Sequence, residues 1–129
     1  MTDPRSRPAP SLAGRRGREL AIWVEREPDA ALTAAREARA KGSVDPLPLH
    51  VETEATRRLG RPADALNLAR KALRQFPGHP GLTLEAARSE AATGQLDAAI
   101  ARMEALARAR PDFPPAWRTL AELRERTGD

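Results

Sequence analysis

Along this chain small and apolar residues recur at helical intervals, and from about residue 46 onward proline and glycine interrupt them at regular points. Ala65-Leu66, Ala69 and Ala72-Leu73 match Ala99-Ile100, Met103 and Leu106-Ala107 one repeat later. This pattern predicts helices over about 62–76 and 96–110. A second set precedes them at about 47–59, 80–93 and 114–127. Pro46, Pro62, Pro80 and Pro114 each stand where a helix opens, a place where the missing N–H costs nothing. Leu66, Leu73, Phe76, Leu82, Ile100, Met103, Leu106, Trp117 and Leu120 are the candidate core.

The punctuation keeps a fixed interval. Gly60, Gly94 and Gly128 fall 34 residues apart, as do Pro77 with Pro111 and Pro80 with Pro114. Such glycines close helices by adopting a left-handed backbone. Upstream, Ala31, Ala35 and Ala38 keep the same register with Ala65, Ala69 and Ala72. A further, degenerate hairpin is therefore expected over 18–27 and 29–41, with Leu20, Trp23, Val24 and Leu32 on its inner face and Arg26 in place of the turn glycine.

At these residues the chain resembles the tetratricopeptide repeat family. Trp117, Leu120, Ala121 and Gly128 look like the first helix of a repeat, and Gly94, Ala99, Leu106 and Pro111 look like its turn and second helix. The resemblance covers about 46–129. It implies an all-α fold in which antiparallel helical hairpins stack as a short right-handed solenoid. The expected organisation is a disordered Arg/Pro-rich tail over 1–17, then a repeat domain over 18–129. That domain divides into the degenerate hairpin (18–45), repeat 1 (46–79), repeat 2 (80–113) and a half repeat or capping helix (114–129). The chain departs from the family where a large mid-helix aromatic gives way to Thr56, Glu90 and Arg124, and where Glu52 replaces an apolar residue. Looser packing is expected along that seam.

The resemblance further implies that the first helices line a concave groove for a protein or peptide partner. Its positions fall on His50, Glu54 and Arg57, on Leu84, Arg88 and Ala91, and on Arg118, Glu122 and Glu125. The competing reading is a solvated face carrying ion pairs such as Arg118 with Glu122. Asn67, the lone asparagine, lies in a second helix, so a clamp for a C-terminal carboxylate is not expected. The runner-up function is the non-catalytic N-terminal region of a larger enzyme, in the style of bacterial sulfotransferases or aspartyl hydroxylases that carry similar Ala/Arg-rich repeats.

Charge and composition narrow the classes. The net charge is +4, but residues 1–18 hold five arginines against Asp3, leaving 17 residues of each sign in the rest. The folded body is neutral, so it offers no electrostatic case for nucleic acid. With no cysteine there is no disulfide framework, thiolate metal site or thiol nucleophile. His50 and Glu54 share a helical face, yet His-Glu-x-x-His spacing is missing and no metal site is expected. No phosphate loop, nucleophile elbow or paired catalytic carboxylates stand out, so neither catalytic residues nor a cofactor is expected. No stretch has the length of a membrane span, which makes a cytoplasmic protein the expectation. Apolar solenoid ends make a homo-oligomer a further expectation.

Overall fold

The computed structural model describes residues 10–128 and shows seven α-helices among them: α1 (Gly17–Arg26), α2 (Pro28–Ala40), α3 (Pro46–Arg58), α4 (Pro62–Gln75), α5 (Pro80–Ala92), α6 (Leu96–Ala109) and α7 (Pro114–Thr127). Every helix from α2 onward except α6 opens on proline, whose fixed φ suits a first turn. Gly60 and Gly94 stop α3 and α5 with φ of 83° and 86°. The residue after each glycine then reaches back five positions, Arg61 N–H to the Thr56 carbonyl at 3.2 Å and Gln95 N–H to the Glu90 carbonyl at 2.8 Å. These bonds satisfy carbonyls that the helix end would leave orphaned, and they turn the chain for the return helix.

Each helix packs on the next, so the hairpins form one continuous stack. A second set of contacts fixes its shape. α1 touches α3, α3 touches α5 and α5 touches α7, whereas among the described residues α2 and α4, and likewise α4 and α6, do not touch. The odd-numbered helices thus form a tight inner layer and the even-numbered ones a splayed outer layer. A stack with unequal spacing on its two sides must bend toward the tighter one, which makes the inner layer concave. This is an all-helical solenoid, as the sequence predicts.

Alanine permits close packing in both layers: Ala55, Ala86, Ala87 and Ala116 of the inner helices and Ala31, Ala35, Ala65, Ala69 and Ala99 of the outer ones are wholly buried. One apolar cluster, with Leu20, Trp23, Val24, Leu32 and Val51, holds the first three helices. A second, with Leu84, Met103, Leu106, Leu120 and Leu123, holds α5, α6 and α7. Of the candidate core, Leu66, Leu82, Met103, Leu106 and Leu120 are buried, and Leu73, Phe76 and Ile100 are half-buried. Trp117 is a correction, being 48% exposed. Ala116, Thr119, Leu120 and Leu123 take the inward face of α7, and no described helix covers its far side. Trp117 instead lies along the surface, its indole Nε1 donating to the Pro111 carbonyl at 3.3 Å.

The first nine residues of the expected tail lie outside the described residues. Of those that follow, Leu12 packs on the first cluster, and the Arg15 guanidinium sits 3.7 Å from the centre of the Trp23 ring, a cation–π contact.

Candidate partner-binding face

The inner layer is organised around a buried charge. Glu85 of α5 is wholly buried, and its carboxylate accepts from Arg57 of α3 at 3.1 Å and from Arg88 of its own helix at 3.2 Å. His50 Nε2 lies 4.0 Å away on the same carboxylate. Glu54, also buried, accepts from Arg58 at 2.8 Å. A carboxylate at full burial is tolerated only with such partners, and two guanidinium groups supply its compensation here. The arginines are themselves only partly covered, with side-chain exposures of 18% for Arg57 and 34% for Arg88. Their outer edges remain open to solvent.

The groove positions named from the sequence therefore divide three ways. His50, Glu54, Arg57 and Arg88 come together around Glu85 and form a basic-edged cluster between α3 and α5. Leu84 and Ala91 are buried in the second apolar cluster, where α7 covers them. Arg118, Glu122 and Glu125 on α7 are exposed. Glu85, the hub, was absent from the sequence reading. Its signal was its place one residue from a groove position, with Arg88 one turn on, but its burial follows from α3 lying against α5.

His50, Glu54 and Glu85 place one potential ligand atom each within 4.8 Å of one another. The donor chemistry alone would suit a divalent ion. The surroundings do not, because Arg57, Arg88 and Arg58 already neutralise both carboxylates and an incoming dication would have to displace them.

His79 closes the cluster from the turn before α5. Its Nδ1 accepts the Leu82 N–H at 3.2 Å and so caps the helix. Burial, and then the neighbouring His50, push its pKa below the ordinary 6.5, with a backbone hydrogen bond opposing them. The folded state therefore binds fewer protons than the unfolded chain between that lowered value and 6.5. Stability from this group is fully present above about pH 6.5 and is lost as the pH falls through the folded value, when protonation of Nδ1 also abolishes the cap. Urea midpoints should thus fall between pH 7.5 and 5.5 in the wild type. His79→Asn, a cap that does not titrate, should show a smaller fall, and equal falls would remove His79 as the cause.

The seam lacking family aromatics is held by charge. Buried Glu90 receives a two-pronged grip from Arg102 of α6, at 2.8 and 3.2 Å, and Arg124 of α7 donates to Glu104 of α6 at 3.0 Å. Buried Glu52 accepts from Arg36 and Arg39 of α2, while the Thr56 hydroxyl turns back to the Glu52 carbonyl at 2.7 Å. The helices are tied together there by ion pairs.

Comparison with curated proteins and with solved structures gives no match. A family model described as tetratricopeptide repeat matches residues 57–123, just over half of the chain, from the end of α3 into α7. Together with the stacked hairpins, this shows that the chain belongs to the tetratricopeptide repeat family, whose repeats generally serve as protein-interaction modules.

Proposed function

We propose that this chain is a protein-binding scaffold that takes an extended or helical segment of its partner along the concave inner layer. The reading is supported by the row of inner helices touching one another in sequence and by the partly exposed Arg57 and Arg88 on it, and we assign the exposed Arg118, Glu122 and Glu125 of α7 to the same face. The open edges of Arg57 and Arg88 favour a segment bearing carboxylates opposite α3 and α5. The mixed charges of α7 set its register. Because Glu85 holds these arginines in place, their ordering entropy is already spent before the partner arrives.

A pull-down with the full chain as bait, read by mass spectrometry, would supply the partner for a titration. Arg118→Glu, on the exposed concave side, should weaken that partner at least tenfold. Arg108→Glu on the outer layer should leave it within twofold, with equal melting midpoints for both variants. Equal losses would remove the concave face as the site.

A further inference from the structure

The outer layer carries an opening of its own, away from the concave face. Between α4 and α6 lies an open trough of about 880 Å³, walled by Leu73 and Pro77 on one side and by Ala98, Ala101 and Ala105 on the other. The same seam one repeat earlier, between α2 and α4, encloses only about 210 Å³. The difference is written in the 34-residue register: Asp64, Asn67 and Lys71 line the earlier seam where Ala98, Ala101 and Ala105 line the later one. At these positions three polar side chains are exchanged for methyl groups, while Arg102 and Glu90 of the later seam stand where the earlier one has Leu68 and Thr56. These alanines are exposed, as is Ala109 one turn beyond, so an apolar strip runs along α6 in open solvent. The Glu90–Arg102 pair closes the floor.

The rim identifies the occupant. Arg70 and Arg74 stand on α4 three residues before and one residue after Leu73, and both are exposed with no ion-pair partner among the described residues. Arg110, at the far end, meets only the exposed Asp112 at 3.4 Å. An apolar strip of small side chains accepts a helix at close range, and a basic rim selects one whose flanks are acidic. We infer that the trough between α4 and α6 docks an acidic amphipathic helix of a partner protein, at a site separate from the concave face.

The probe is a labelled 18-residue helical peptide with leucine at every third or fourth position and glutamate elsewhere, alongside its lysine counterpart, titrated by fluorescence anisotropy. The acidic peptide should bind at least tenfold more tightly than the basic one, and more weakly as salt is raised. Ala101→Gln with Ala105→Gln should cost at least tenfold with helicity unchanged. Arg70→Ala with Arg74→Ala should cost severalfold and flatten the salt dependence. Arg118→Glu, on the other face, should leave this affinity unchanged. Equal affinity for the two peptides, no binding of either, or no loss in the double glutamine variant would overturn the proposal. So would light scattering showing a dimer that the glutamine variant dissolves, because a second copy would then be the occupant.

Discussion

Met103→Ala is expected to cost about 3 kcal/mol, near the middle of the range for truncating a fully buried methionine. Met103 is wholly buried in the cluster that joins α5, α6 and α7, and packed neighbours relax only partly around the void. In a stacked array each unit touches only its neighbours, so the loss should be local. Amide exchange should accelerate in α6 and α7 while α1 and α2 keep their protection. Ile22, 39% exposed on α1, supplies the contrast, and Ile22→Ala should cost under about 0.5 kcal/mol. A loss below about 1 kcal/mol for Met103→Ala in urea unfolding would mean that this cluster is not the joint between the helices.

Glu85→Ala is expected to cost about 2 kcal/mol, for a different reason. Removing one partner from a fully buried ion pair costs roughly 3–5 kcal/mol, because the other charge is left without compensation. Here Arg57 and Arg88 are partly exposed and can recover some hydration, which lowers the figure. The same substitution frees both arginines, so the concave face should lose affinity for its partner as well as stability. Arg57→Ala combined with Glu85→Ala should cost less than the two single changes added together, by about 1 kcal/mol. Strict additivity in that cycle would show that Glu85 does not organise the face.

Much of the architecture was readable because its signals are local. Pro46, Pro62, Pro80 and Pro114 stand at the observed starts of α3, α4, α5 and α7, and Gly60 and Gly94 end helices by a backbone state that other residues avoid. Leu20, Trp23 and Val24 are buried in the first cluster because the helical period puts them on one face of α1, and Leu32 meets them from α2. What escaped the reading depends on which helices meet. Trp117 has a large apolar side chain at a family core position, yet it is exposed because no described helix lies beyond α7. Glu85 and Glu90 look like any exposed acids until α3 and α6 bring Arg57 and Arg102 to them across 28 and 12 residues. The trough was legible in principle, since Asp64, Asn67 and Lys71 align with three alanines. An exposed alanine signals nothing until the neighbouring helix stands away from it.

Both the concave face and the trough depend on unequal spacing within the stack: the inner helices touch in succession and the outer ones do not. Methyl and amide nuclear Overhauser contacts in solution test this directly. They should connect α3 with α5 and α5 with α7, including Leu84 with residues of α7, and should be absent between α4 and α6. Cross-peaks linking Leu73 to Ala101 or Ala105, or missing contacts within the inner layer, would mean a closed bundle with neither a concave face nor a trough.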